Sequence, residues 1–455
     1  MSGLRNLLKS TILKILSDGK PRKARELVAT LRTELQRQDI DKHEVNSVLY
    51  RDLSDRVRCD TTFNWQIGDS ATTPRTDPRQ QGLSRAELIR TIYRFRAGLP
   101  PCENLEHFTV GGDKVLAAIH SLLQEEDGGS RWAVVRGDYG GGKSHALTLF
   151  SDVARHEGYA TCQLSADGYA SALNHPQRFL PSLLATLEIP LRPTYGYTDL
   201  LYDVMSDAQF AERLSSIVNG HLEGWTSVAS ETKMSLARIV ELIHEHELNS
   251  DEWIANLRLV TTHLTGDSIR HLSATPTYRR IAYSLLSIAR DLLLEAGTKG
   301  MAIAIDETES IYTKLPNARS RHGALRVLAG ICGFAHCRAF LAVTPDAFRN
   351  IVADGSLNFE DSSALPIEDV RKWTGALKSG AVPTVDCRPL ARDQRRELLD
   401  SIRLAYVRAF GDGFASGSFR QKWDGNAQLA ADPHIPVRLV VRQAIDLMDA
   451  FRYSS

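Results

Sequence analysis

Leu4, Leu7, Leu8, Ile12, Ile15 and Leu16 recur at three- and four-residue spacing, which places them on one face of an α-helix. Gly19-Lys20-Pro21 ends that stripe, and Pro21 suits the opening of a second helix whose apolar face is Ala24, Leu27, Val28 and Leu31. A third helix runs from Asp41 through Val45, Val48, Leu49 and Leu53, and two short strand-like pieces follow, Arg56–Cys59 and Thr62–Trp65. Three helices and a hairpin over residues 1–66 predict a winged helix-turn-helix. Residues 67–82 are polar and rich in chain breakers, which predicts a linker.

Beyond residue 83 the pattern changes. Arg131–Arg136, Tyr159–Leu164, Met301–Ile305 and Ala339–Val343 are short, nearly continuous apolar runs, the signature of strands buried on both faces of a parallel sheet. The second and third runs are separated by far more chain than a crossover needs. Helical periodicity fills the gap at Leu180–Leu187, Leu236–Leu248, Trp253–Leu264 and Ile281–Leu294. The expected fold is therefore α/β: a core over residues 83–384 with a large helical insert at about 176–300, serving as a contact surface or regulatory arm. Leu390, Leu398, Leu399, Ile402 and Tyr406 then begin a helical C-terminal lid over residues 385–455.

Composition narrows the class. A chain of 455 residues with 43% hydrophobic and 24% charged residues can bury more than one core and is neither disordered nor fibrous. Its 55 Lys+Arg balance 55 Asp+Glu, so attraction to nucleic acid has to be local. Residues 1–66 carry 13 basic and 9 acidic residues, a mild positive excess. Lys42, His43, Asn46 and Ser47 on the third helix, with Arg56 and Arg58 on the wing, are the candidate contacts to double-stranded DNA. Asp39, Asp41 and Glu44 dilute that face, which equally suits a protein-docking module. The N-terminal residues lack a signal-peptide pattern and no apolar run approaches a membrane span, so a cytoplasmic protein without membrane contact is expected. Six scattered cysteines suit reduced thiols, and the closest pair, Cys332 and Cys337, has no second pair at zinc spacing.

The strongest chemical signal follows the first apolar run: Gly137-Asp138-Tyr139-Gly140-Gly141-Gly142-Lys143-Ser144-His145, a Walker A phosphate loop between strand and helix. Its glycines let successive backbone N–H groups face phosphate oxygens, Lys143 supplies a charge for the β- and γ-phosphates, and the Ser144 hydroxyl ligates Mg²⁺. His145 reads as a packing group. Met301–Ile305 ends on Asp306-Glu307, which reads as a Walker B strand with Asp306 in the Mg²⁺ shell and Glu307 as general base toward water. The other reading of these acids is a helix N-terminus running into Thr308, Glu309 and Ser310. Thr344, after the fourth run, is a sensor candidate or simply the start of a Pro-containing turn. Arg438, early on a helix opened by Pro436, is a second sensor candidate or an exposed helix arginine.

Gly-Asp-Tyr-Gly-Gly-Gly-Lys-Ser-His at the loop, Ala-Ile-Asp-Glu-Thr-Glu at the acidic strand and Ala-Val-Thr-Pro-Asp after the fourth run resemble the BREX-type ATP-binding proteins, the BrxC/BrxD-like group of AAA+-related ATPases of bacterial phage defence. Leu99-Pro-Pro, Phe108-Thr-Val-Gly-Gly112 and Pro436-Val-Arg438 add to the likeness, which runs over roughly residues 83–455; the compact length and N-terminal winged helix are closer to the BrxD-like members. The resemblance implies an ASCE-type ATPase core with a helical lid, ATP and Mg²⁺ as cofactors, and action beside helicase, nuclease or methyltransferase components, in a homo- or hetero-oligomer. It also implies phosphate and metal roles for Lys143 and Ser144, hydrolytic roles for Asp306 and Glu307, and sensor roles for Thr344 and Arg438. Arg319, Arg321, Arg326, Arg349 and Arg371 are all available as an arginine finger. The expected function is an ATPase motor or switch that couples ATP turnover to DNA or to a partner helicase or nuclease. The alternatives are a nucleotide-gated scaffold resembling STAND-type switches and an ATP-responsive DNA-binding regulator.

Overall fold

A computed structural model describes residues 2–20, 22–37, 40, 45, 48–49, 53, 57–59, 64–67, 83–99, 101, 105–124, 131–167, 172–190, 196–221, 227–272, 275–355, 369–411, 423 and 435–454. The chain divides into two compact units, residues 1–110 with 390–455, and residues 111–389.

The first unit begins with the helix Ser2–Leu16, strand β1 (Arg22–Lys23) and the helix Ala24–Glu34, followed by β2 (Val57–Cys59) and β3 (Asn64–Ile67). These strands form an antiparallel sheet in the order β1-β3-β2, with Cys59 opposite Trp65. The expected hairpin is present, its second strand set two residues later than the pattern suggested. Leu8, Ile12, Leu16, Leu27, Leu31, Val45, Leu49 and Val57 build one small core from the predicted apolar faces. Most of the predicted third helix lies outside the described residues.

Residues 83–110 and 390–455 share a second core. The helix Arg85–Arg96 opens on a reciprocal cap, in which Ser84 Oγ accepts from Glu87 N at 3.2 Å and Glu87 accepts from Ser84 N at 2.7 Å. Its Leu88, Ile92 and Phe95 pack with Leu398, Ile402, Tyr406, Val441, Ile445 and Met448 from the helices Arg392–Phe410 and Val437–Ser454. Asp449 fastens these elements by pairing with Arg96 at 2.6 Å and accepting from the Tyr406 hydroxyl at 2.5 Å.

The second unit carries a mixed α/β fold on a five-stranded, wholly parallel sheet. Strands β4 (Arg131–Arg136), β5 (Ala160–Ser165), β6 (Met301–Asp306), β7 (Cys337–Val343) and β8 (Thr384–Asp386) lie in the order β5-β6-β7-β4-β8. Every residue of β7 and the first five of β6 are buried, as the uninterrupted apolar runs require of central parallel strands. The helix Lys143–His156 buries Leu147, Phe150 and Val153, and Phe150 meets Phe340 of β7 at 5.3 Å between ring centroids.

Six helices occupy the stretch between β5 and β6 among the described residues: Pro176–Leu184, Tyr197–Val204, Ala208–His221, Ser227–His244, Asp251–Leu264 and Pro276–Glu295. Phe179, Leu214, Leu236, Leu257 and Leu285 from this insert belong to the same continuous core as Ile303 and Leu341 of the sheet. The insert is thus packed into the second unit rather than standing off from it. No described helix is long and apolar enough to cross a membrane.

Candidate functional site

Because all five strands are parallel, their carboxyl ends meet at one edge of the sheet, where ligands sit in open α/β folds. Register fixes the assembly: Arg136 of β4 lies beside Val343 of β7 and Asp386 of β8, and Ser165 of β5 lies beside Asp306 of β6. The segments brought together are the glycine-rich loop after β4, Ala166-Asp167 after β5, Glu307–Ser310 after β6, Thr344 after β7 and Cys387 after β8.

The loop runs from β4 into the helix Lys143–His156. Gly142 precedes that helix with φ 98, a left-handed conformation natural to glycine. At Gly137 the constraint is proximity, since a Cβ there would sit 2.9 Å from the carbonyl oxygen of Cys387. Cys387 N in turn donates to Arg136 O at 2.6 Å, and Arg136 pairs with Asp386 at 2.8 Å, so β8 and the turn after it are laid directly against the loop. Asp138, Tyr139 and Gly140 are exposed, and the Lys143 ammonium lies 5.1 Å from the centre of the Tyr139 ring.

Lys143 is only 7% exposed. It donates to Gly137 O at 2.9 Å and Asp138 O at 3.4 Å, and its Nζ stands 3.6 Å from Glu309 Oε1. The next residue, Ser144, donates its hydroxyl hydrogen to Asp306 Oδ2 at 2.6 Å across 162 positions of sequence. The other Asp306 oxygen accepts from Glu307 N at 2.8 Å. Glu307 takes φ 53, a left-handed conformation that costs a non-glycine residue about 1 kcal/mol or more and that clusters at functional sites. Thr308 locks the turn by donating to Ala342 O at 2.6 Å, and Ser310 donates to Ala166 O at 3.0 Å.

Electrostatics separates the acids. Burial, then the neighbouring charge of Asp167, then Asp306 and Glu309, raise the Glu307 carboxyl above its ordinary range. Asp167 is shifted the other way, chiefly because its carboxylate accepts from Ser165 Oγ at 2.7 Å, with Lys314 also nearby. His145 is half-buried by surface exposure, yet its ring is packed deeply enough that burial pulls its pKa down to about 4, which leaves it neutral at physiological pH. Burial pushes the Cys387 thiol up to about 11 despite the opposing influence of Lys143.

The structure therefore gathers Gly137, Asp138, Tyr139, Gly140, Gly141, Gly142, Lys143, Ser144, His145, Asp306 and Glu307 at one edge. Thr344 is there too, but its side-chain oxygen accepts from Ala347 N at 3.4 Å and caps the helix Pro345–Asp354. Arg438 is exposed near the start of the helix Val437–Ser454, in the first unit. Of the arginines considered as a finger, Arg326 is buried, Arg321 pairs with Asp354 at 3.3 Å and Arg349 pairs with Asp346. Lys42, His43, Asn46, Ser47 and Arg56 lie outside the described residues; Arg58 lies on β2, and nothing is described of its side chain. Asp167, Glu309 and Cys387 were not singled out from the sequence as parts of this site. Among the described residues no cluster of three or more His, Cys, Asp or Glu could by itself hold a metal. Ser144 and Asp306 supply two hard oxygen donors, which fits Mg²⁺, an ion usually held by few protein groups together with phosphate and water oxygens.

Fold and site define a mixed α/β protein whose parallel sheet presents a glycine-rich loop, a buried lysine and an acidic strand end at one edge. Residues 83–193 match the family described as BREX system ATP-binding protein BrxC/D, so the likeness to a BrxC/D-type BREX protein is shown over the segment that holds the loop. The acidic strand, Thr344 and Arg438 fall beyond the matched residues. No curated protein and no solved structure matches the chain.

Proposed function

We propose that this chain is an ATP-binding and ATP-hydrolysing component of a bacterial phage-defence system, with its nucleotide site at the carboxyl edge of the five-stranded sheet. The observation that carries this reading is the hydrogen bond of 2.6 Å from Ser144 to Asp306, with Lys143 beside it. Two segments with no local reason to meet are joined through the hydroxyl and carboxylate that Walker A and Walker B motifs use to share one Mg²⁺. The strand order, with β7 between the loop strand and the acidic strand, supports an ASCE-type core.

In this reading the loop N–H groups and Lys143 hold the phosphates, and Ser144 and Asp306 would hold Mg²⁺, which when bound neutralises phosphate charge. Glu307 accepts a proton from water aimed at the γ-phosphate. Thr308 and Ser310 anchor its turn to the β7 and β5 strand ends, which fixes the backbone from which the carboxylate projects. In the same reading residues 385–455 are a helical lid domain and residues 1–66 a winged helix that contacts double-stranded DNA, supported by the antiparallel β1-β3-β2 arrangement and the local basic excess.

The test is steady-state ATP hydrolysis with and without double-stranded DNA, alongside fluorescent-nucleotide binding. Lys143→Ala is expected to lose nucleotide binding. Glu307→Gln is expected to keep binding and lose turnover by about 10²–10⁴-fold, the range for removing a general base. Unchanged affinity in the first variant would discard the phosphate-loop role, and normal turnover in the second would discard the base role. Turnover indifferent to DNA at every protein concentration would argue against DNA coupling.

A further inference from the structure

Glu309 is the least expected group in the site. It is 5% exposed, and neither of its carboxylate oxygens takes a hydrogen bond from any described residue. The cation facing it is the Lys143 ammonium at 3.6 Å, itself 7% exposed. A buried carboxylate satisfied by one cation depends strongly on that cation. Lys143 meanwhile spends its shorter contacts on the Gly137 and Asp138 carbonyls of its own loop, an arrangement folded back on the loop.

We propose that Glu309 is a competing counter-ion for Lys143, a positioning residue that lowers nucleotide affinity and speeds nucleotide release. The proposal rests on the nucleotide-site reading above and adds a determinant of residence time to it. When polyphosphate enters, Lys143 turns from Glu309 toward the β- and γ-oxygens. Glu309 then loses its facing positive charge while a highly negative group arrives close by. Both changes oppose binding, and both reverse when nucleotide leaves and the contact with Lys143 reforms. Asp306 and Glu307 share the anionic neighbourhood, but Asp306 is engaged by Ser144 and by the Glu307 backbone, and Glu307 faces Asp167. Glu309 is the carboxylate set against the lysine.

The experiment measures affinity and dissociation rate for fluorescent ATP and ADP analogues with full-length wild type, Glu309→Gln, Glu309→Asp and Lys143→Ala. Glu309→Gln keeps size and removes charge, so affinity should rise by about tenfold, a typical coupling between two sites, with most of the gain in slower dissociation. Glu309→Asp keeps the charge but withdraws it from Lys143, so its affinity should fall between wild type and Glu309→Gln. A merely structural loss would weaken binding, so a gain distinguishes the two. Unchanged or weakened affinity in folded Glu309→Gln overturns the proposal. If that variant does not fold, weaker binding by Glu309→Asp overturns it instead. Wild type that binds neither analogue overturns the nucleotide-site reading, and this proposal with it.

Discussion

At the scale of single residues, the contrast between Glu307 and Asp167 carries a prediction about pH. Glu307 is raised above the usual glutamate range by burial first and by the Asp167 charge second, while Asp167 is lowered by its hydrogen bond from Ser165. A general base works only when ionised, so under the base role proposed for Glu307 turnover should fall as pH drops through its pKa. Raising that pKa moves the acid limb upward. Replacing Asp167 with Asn removes the second cause and leaves the first, so the acid limb of the kcat profile should move to lower pH, with nucleotide affinity near wild type. A limb that stays in place would show that Asp167 does not set the charge state of Glu307. The sequence displayed Asp306 and Glu307 because they end a continuous apolar run, and the loop because glycine spacing is itself the chemistry. Asp167 and Cys387 were hidden for a physical reason: each reaches the site through parallel register and turn geometry, which no local spacing announces, while Glu309 stood in the acidic motif with nothing in its spacing to pair it with Lys143.

At the scale of elements, the turn from the helix Pro276–Glu295 into β6 holds the acidic strand in place. Gly297 has φ 83 with open space where a Cβ would point, whereas Gly300 has φ 122 and a Cβ there would collide with the His336 carbonyl oxygen. Gly297→Ala carries only the left-handed penalty and should cost about 1 kcal/mol. Gly300→Ala carries that penalty plus a collision with backbone that cannot swing aside, because His336 O already accepts from Met301 N at 3.0 Å. It should cost roughly 3 kcal/mol or more, or prevent folding outright. Urea midpoints of the two variants compare them directly, and equal costs would show that the turn rearranges freely. Strands β4, β5, β6 and β7 were legible because each is a nearly continuous apolar run of six or seven residues, and for β4 and β6 a motif follows directly. β1, with two residues, and β8, whose three residues alternate exposed, buried and exposed, are too short to show a period above background.

At the scale of the whole molecule, apolar patterning located four of the six described helices between β5 and β6, missing Tyr197–Val204 and Ala208–His221, and could not say where any of them bury their faces. An amphipathic helix has the same sequence whether it covers a neighbour or its own sheet, and here Phe179, Leu214 and Leu285 share one core with Ile303 and Leu341. The described residues hold separate cores for the N-terminal sheet, for the helices of residues 83–110 with 390–455, and for the second unit. Separate cores need not melt together, so thermal unfolding should show more than one transition. Nucleotide bound only to the folded second unit stabilises that unit by about 2.7 kcal/mol at a hundredfold excess over Kd, which should raise its transition by roughly 5 °C. Trp132, stacked on Trp373 at 5.3 Å, and buried Trp253 belong to this unit, whereas Trp65 and buried Trp423 belong to the first, so tryptophan fluorescence should register the unfolding of both units and only the second unit's transition should move with nucleotide. Lys143→Ala should abolish the shift and leave the other transitions where they were. If Mg-ATP instead moved every transition by the same amount, the units would be melting as one cooperative body, and nucleotide binding would already be coupled to the N-terminal helices without any partner present.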